Sequence, residues 1–353
     1  MNVMWRPTAS RAMLEQRASL LARARRFFAD GGVLEVDTPI VVNAPITDVH
    51  LHSARVDLGA PPSVSTRPRE AASHFLHTSP EYAMKRLLAA GSGDIYQICH
   101  VVRGFERGRL HNAEFTLIEW YRLGFSLDDL MSEVDALVRA LLGPAAGHRS
   151  SERITYREAF LRELQLDPFA ATVSELLDSA AKLGFSYATR PPDAAPPATT
   201  DLSGATGPAA AADPRRDELL ELLMGAVIGP RLGGNALTFV HGYPASQAAL
   251  ARLDPQDPRA ALRFELYCDG IELANGFHEL ASAAEQRARF DQDLAERRRT
   301  GLPAFAPDEF LLAALESGLP ECSGVALGFD RTLMLASGAT TIDEVLPFPT
   351  ERA

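Results

Sequence analysis

Cysteine is scarce in this chain of 353 residues: Cys99, Cys268 and Cys322 are all it has. Their spacing suits neither a disulfide framework nor a zinc site, so reduced structural thiols are expected, and any metal must be held by oxygen. Long apolar runs are also missing. No stretch approaches the ~18 residues that would mark a membrane span, and the opening "MNVMWRPTASRAMLEQRASLLARARR" has no apolar segment followed by a small-residue cleavage site. No membrane association and a cytoplasmic location are therefore expected. Positive charge is in deficit, with a formal net charge of -11. That balance disfavours broad nucleic-acid binding, which needs clustered Lys and Arg to neutralise phosphates. Lysine stands only at 85 and 182, an arginine bias to which the sequence alone assigns no function.

What is present suits a soluble globule with a sizeable core: 46% of residues are hydrophobic and 23% charged. From Glu15 to Ala29, Leu20, Leu21, Ala24, Phe27 and Phe28 recur at helical spacing, Arg23, Arg25 and Arg26 are placed to complement the helix dipole, and Asp30-Gly31-Gly32 is a stop. "VLEVDTPIVV" then reads as a strand meeting Pro39, and "SPEYAMKRLLAAG" as a short helix capped by Thr78 or Ser79 and closed by Gly91. Residues 94–122 read as two strands around a charged loop, and 128–142 as an amphipathic helix. Helices are expected at 217–228, 282–298 and 308–317, a strand at 236–241 and a hairpin at 263–275. "SGVALGF" follows as a strand and "DRTLMLASG" as a helix. Residues 59–73 read as a loop, and the Pro-, Ala- and Gly-rich 190–216 as a mobile surface insertion. Helices mixed with hairpins predict an α+β fold on a mostly antiparallel sheet.

Three stretches carry chemistry. In "RFELYCDGIELANGFHEL", Asp269-Gly270 is a strong two-residue hairpin signal. With Cys268 facing Ile271, Glu265 pairs with Ala274 and Tyr267 with Glu272. Glu265 and Glu272 then become diagonal neighbours roughly 7–8 Å apart, able to share a divalent ion; the alternative is an ordinary solvated face. In "RGFERGRLHNAEFTLIEWYR", Phe115, Leu117, Glu119 and Tyr121 share one strand face. Arg103, Arg107, Arg109 and His111 lie in or beside the preceding loop, where they could hold phosphates or form surface salt bridges. In "CSGVALGFDRTLML", Arg331 opens a helix at its positive end, a position that calls for an anion or carboxylate nearby.

Together these pieces resemble a class II aminoacyl-tRNA synthetase core of the lysyl type, with no anticodon-binding domain. The first helix with "VLEVDTPI" resembles motif 1, the charged stretch motif 2 and "GVALGFDR" motif 3, while "TSPEYAMKRLL" and "GIELANGFHEL" match the lysyl subgroup. Only some fifteen residues precede the motif 1 helix, whereas an anticodon-reading domain needs at least ~50. With "LHNAEFTLIEWYR", that shortness resembles the bacterial elongation factor P lysine ligase family. The implied organisation is an N-terminal extension, 1–14, and one catalytic domain, 15–353.

The resemblance implies ATP and Mg²⁺ as cofactors, lysine or (R)-β-lysine as substrate, elongation factor P as acceptor in place of tRNA, and a homodimer formed through motif 1. Arg103 would hold the α-phosphate and the substrate carboxylate, and with Arg331 it is the implied catalytic pair. Phe115 would stack under the adenine and Arg331 above it, with Glu106, Arg109, His111, Asn112, Glu272, Leu273 and Gly328 around the nucleotide. Glu265 and Glu272 would hold Mg²⁺. On the amino-acid side stand Ser79 and Pro80, Glu81 for one ammonium, Glu119, Tyr121 and Glu279 for the other, Asn275 near the carboxylate, and Ala326.

The chain departs from the family pattern in places. Motif 2 usually continues Arg-x-Glu, whereas Arg103 is followed by Gly104 and Phe105, so that Glu106 arrives one residue late. Ala113 stands where proline is common. Ala326 stands where lysyl-tRNA synthetases have glycine, and its methyl is expected to favour β-lysine over α-lysine. The rival readings are a truncated tRNA-charging enzyme and a non-catalytic amino-acid-binding regulator.

Overall fold

The computed structural model describes residues 5–59, 74–185 and 214–353. Apart from Gly59, the loop expected at 59–73 lies outside them, as does the insertion expected at 190–216 as far as residue 213; its last three residues instead begin a helix, Pro214–Leu223. α1 (Arg11–Asp30) begins at Ser10, whose hydroxyl accepts from the Met13 N–H, and buries Leu20, Ala24 and Phe28. It starts earlier than the apolar spacing indicated, and its last turn holds no basic residue. Arg23 instead donates to the Ala140 carbonyl at 2.7 Å and Arg25 to Glu35 at 3.0 Å. The expected strand through "VLEVDTPIVV" is two short strands in different sheets, β1 (Leu34–Glu35) and β2 (Val41–Val42). Pro39 between them lacks an N–H and restricts Thr38, so one continuous ladder cannot form.

β3 (Arg55–Val56) and β4 (His74–Leu76) complete a small sheet in the order β2-β4-β3. In α2 (Glu81–Ala89), Pro80 holds the N-cap position without a side-chain cap; the Ser79 hydroxyl accepts from the Glu81 N–H at 3.0 Å. β5 (Ile95–Val102) and β6 (Glu114–Leu123) flank the charged loop as expected. α3 (Leu127–Leu142) starts with a reciprocal Ser126/Asp129 capping box. β7 (Ser150–Thr155), α4 (Tyr156–Leu164), α5 (Val173–Lys182) and α6 (Pro214–Leu223) follow, then β8 (Ala236–Pro244), β9 (Ala260–Cys268) and β10 (Ile271–His278). α7 (Ala283–Arg299), α8 (Glu309–Gly318), β11 (Cys322–Gly328) and α9 (Phe329–Ser337) close the chain.

The large sheet runs β1-β5-β6-β11-β10-β9-β8-β7, and only its two edge pairs are parallel. Because β11 inserts between β6 and β10, three segments distant in sequence become neighbours. One face buries Ile118, Trp120, Leu266 and Leu327 against Phe28, Leu137 and Phe329 from α1, α3 and α9. On β6 the alternate residues Leu117, Glu119 and Tyr121 point to the other face, into a cavity.

Candidate active site

Backbone register aligns residues in rows across the strands, and the middle members of each row line the cavity. Gln97, Glu119, Ala326, Asn275 and Glu265 stand side by side on β5, β6, β11, β10 and β9. In the next row Ile95, Tyr121, Gly324, Phe277 and Arg263 do the same. The cavity above them has a volume of about 510 Å³, within the range of small-ligand sites.

At one end, carboxylates gather. Glu119 is buried and accepts from Ser79 Oγ and Tyr121 Oη, each at 2.8 Å. Glu81 and Glu279 flank the Lys85 ammonium at 2.7 and 2.5 Å. Burial alone would lower the pKa of Lys85, but Glu279 and Glu81 outweigh it and raise it. Glu119 is excluded from that ion pair: burial, then the charge of Glu81, pushes its carboxyl up to about 8. Burial likewise pushes Glu279 up to about 7, with Lys85 opposing. Asn275 lines the cavity, and its side-chain oxygen has no hydrogen-bond partner among the described residues. Pro80 only starts α2 and is not part of the lining. Gly324 makes room for this cluster, since a Cβ there would lie 2.3 Å from the Tyr121 ring and 2.5 Å from the Glu279 carboxylate.

At the other end, guanidinium groups and an aromatic ring gather. Arg103 lies 5.1 Å over the Phe115 ring and donates to the Thr78 carbonyl at 3.3 Å. Arg331 donates to the carbonyls of Leu110 (3.2 Å) and Glu272 (2.9 Å), with the Glu272 carboxylate at 3.7 Å. The carboxylate that its helix position demanded is therefore there. Burial, then Arg331 and Arg103, lowers His111 to about 4, so its ring is neutral, and its Nε2 accepts from Arg331 at 2.6 Å. Asn112 lines the cavity but is committed to the chain, donating to the Glu114 carbonyl and accepting from Thr350. Leu273 and Gly328 are in the lining. Arg109 is not: it donates to the Thr340 carbonyl at 3.2 Å. Arg107 pairs with Asp343 and Glu351 at the surface.

The displaced motif 2 glutamate has a structural answer. Phe105 adopts φ 65° and is 90% exposed, so the chain turns it outward and lets Glu106 line the cavity, 3.9 Å from Arg103.

The hairpin register differs from the expected one. Ile271 faces Cys268 and Glu272 faces Tyr267, but a bulge at Leu273 then sets Ala274 opposite Leu266 and Asn275 opposite Glu265. Ala274 consequently faces the core, and Asn275 takes the expected place beside Glu265. Glu265 lies outside the cavity lining, held by Arg263 at 2.6 Å and Tyr267 at 2.5 Å. Glu272 opens to the cavity. Desolvation, then the nearby charge of Glu265, raises its pKa. Among the described residues no three metal-ligating side chains stand together. Of the pair, Glu272 alone opens to the cavity, with Glu265 behind it, and one such carboxylate still fits Mg²⁺, which binds through one or two carboxylates plus substrate phosphates. The thiols of Cys99, Cys268 and Cys322 are free, and burial pushes them up to about 12, 11 and 12. They are unpaired, as their spacing predicted, and burial keeps them in the protonated, unreactive form.

Comparison with known proteins now bears on this geometry. The family described as tRNA synthetases class II (D, K and N) matches residues 2–352. The chain belongs to it. Among curated relatives of this class II synthetase, a protein of Vibrio cholerae serotype O1 is 48% identical over 100% of this chain and 99% of its own length. One from Edwardsiella ictaluri is 46% identical and one from Klebsiella pneumoniae subsp. pneumoniae 45% identical, each over 99% of this chain and 98% of its own. All three carry the name "Elongation factor P--(R)-beta-lysine ligase". No helix among the described residues is long and apolar enough to cross a membrane.

Sequence reasoning passed over Lys85 and Gly324. Lys85 sits four residues after Glu81 on a helix, a spacing that signals an ion pair. Nothing local reveals that Glu279 completes it.

Proposed function

We propose that this protein is an ATP-dependent ligase that activates (R)-β-lysine, or lysine, as its adenylate and transfers it to the ε-amino group of a lysine on elongation factor P. One observation carries the reading. Three buried carboxylates, Glu81, Glu119 and Glu279, stand beside a single ammonium among the described residues, Lys85, which pairs with Glu81 and Glu279 and leaves Glu119 out, at the end of a cavity whose other end holds Arg103, Arg331 and Phe115. When ionised, that acidic end needs two more positive charges, and a diamino acid brings two ammoniums. The names of the full-length relatives agree.

Ser79 and Tyr121 orient Glu119 toward one ammonium, and Asn275 has a free acceptor for polar contact. Arg103 aligns the substrate carboxylate with the α-phosphate. The carboxylate oxygen attacks the α-phosphorus, the bond to pyrophosphate breaks, and positioning with charge neutralisation supplies most of the acceleration. Glu272, with Glu265 behind it, would hold Mg²⁺, which neutralises phosphate charge when bound. The acceptor ε-amine, as the free base, then attacks the activated carbonyl, AMP leaves and an amide forms. Ala326, set between Glu119 and Asn275, forms the floor and favours β-lysine; an Ala326→Gly variant with unchanged α/β discrimination would remove that role. The test of the whole reading is (R)-β-lysine-dependent pyrophosphate exchange without tRNA, followed by the mass of elongation factor P after incubation. Exchange and a one-lysyl mass gain are expected. Exchange without acceptor modification would point to tRNA charging, and no exchange to a binding protein.

A further inference from the structure

The antiparallel ladder between β6 and β11 ends where Leu117 pairs with Gly328. There β11 turns into α9, while β6 extends back to Glu114. Phe115 and Arg331 both lie beyond that last rung, on segments that the ladder no longer joins.

A side-chain ring takes over. The Thr116 N–H, which a continuing ladder would offer to β11, donates to Asp330 Oδ2 at 2.7 Å. The other Asp330 oxygen accepts from Arg17 Nη1 at 2.5 Å, and Arg17 Nη2 donates to Thr116 Oγ1 at 2.6 Å. The Arg17 guanidinium also lies 5.0 Å over the Phe329 ring. Asp330 and Thr116 are 2% and 3% exposed, so these charge-assisted bonds work with little competition from water. Both outer residues of the ring adjoin the nucleotide end directly: Phe115 precedes Thr116, Arg331 follows Asp330, and both line the cavity. Arg17 does not line it.

We propose that Arg17 is a positioning residue for the nucleotide: acting from α1 through Asp330 and Thr116, it sets the gap between Phe115 and Arg331. The inference rests on the reading that these two flank the adenine. A bidentate guanidinium is required, because it must satisfy a carboxylate and a hydroxyl at once in fixed directions. The amino-acid end, built on β10, the middle of β6 and α2, is held independently of this ring.

The test is pyrophosphate exchange with separate KM values for ATP and (R)-β-lysine. Arg17→Met is expected to raise the KM for ATP roughly tenfold or more and to leave that for the amino acid within about twofold. Thr116→Val moves the ATP value in the same direction by less. Because both act in one ring, the double variant falls short of the product of the two. Arg17→Lys, whose single ammonium cannot span both partners, gives an intermediate ATP effect and serves if the methionine variant does not fold. Equal rises in both KM values, or an unchanged KM for ATP in folded Arg17→Met or Arg17→Lys, would overturn the proposal. Phe115→Ala separates the two layers. If it leaves the KM for ATP unchanged, the adenine reading itself fails; if it raises it while the Arg17 variants do not, only the bridge fails.

Discussion

Burial, then the charge of Glu81, pushes the Glu119 carboxyl up to about 8, and among the described residues no cation pairs with it. The unfolded chain would release the carboxyl proton near ~4.3. The folded protein therefore binds more protons than the unfolded one between those values, and the contribution of this group to stability falls as pH rises through the window. A bound ammonium reverses the preference, since it is attracted only to the ionised form. The KM for the amino acid should accordingly fall as pH rises from about 6.5 to about 8.5, through the range set by Glu279 and Glu119. A flat profile would show that neither acid meets the ligand. Lys85 works in the opposite sense, as a permanent counter-charge. Lys85→Met leaves Glu81 and Glu279 without it, and breaking a buried pair this way is expected to cost about 3–5 kcal/mol in urea unfolding. The acids of this pocket were legible from residue types and their match to a family pattern. Lys85 was not, because its second partner, Glu279, stands just past the end of β10, almost two hundred positions away, and only the sheet order brings them together.

Among the elements, hairpins and amphipathic helices were legible wherever local signals agreed: Asp269-Gly270 for the β9–β10 turn, the amphipathic spacing of 128–142 for α3, the alternation along β6. What failed was register. The bulge at Leu273 exchanges Ala274 for Asn275 beside Glu265, and no residue type announces it, since the run from Ile271 to His278 contains no turn residue at the point where the extra residue is left unpaired. The motif 2 turn is a second example. A phenylalanine at φ 65° is strained, because its Cβ crowds the following carbonyl at roughly 1–2 kcal/mol. Phe105→Gly should therefore raise stability by about 1 kcal/mol in denaturant unfolding, minus the contact of Phe105 with His52. A loss of stability would mean that the aromatic contact outweighs the strain.

For the whole molecule, α+β class and a mostly antiparallel sheet followed from the mixture of helices and hairpins. The strand order did not, because the insertion of β11 between β6 and β10 depends on long-range pairing. The motif 1 region leaves Leu14, Leu34 and Ile40 exposed on α1, β1 and the segment after it, apolar surface that supports the homodimer expected from the family resemblance. Light scattering at micromolar concentration should give twice the chain mass of 38.2 kDa; a monomeric mass would remove the dimer from the account. The central claim concerns the acid-rich end of the cavity and is tested most directly by pyrophosphate exchange with (R)-β-lysine against an analogue whose distal amine is replaced by a methyl group. A pocket with unmatched buried carboxylates should reject the analogue by roughly 10⁴-fold in kcat/KM, whereas comparable exchange with both would contradict it.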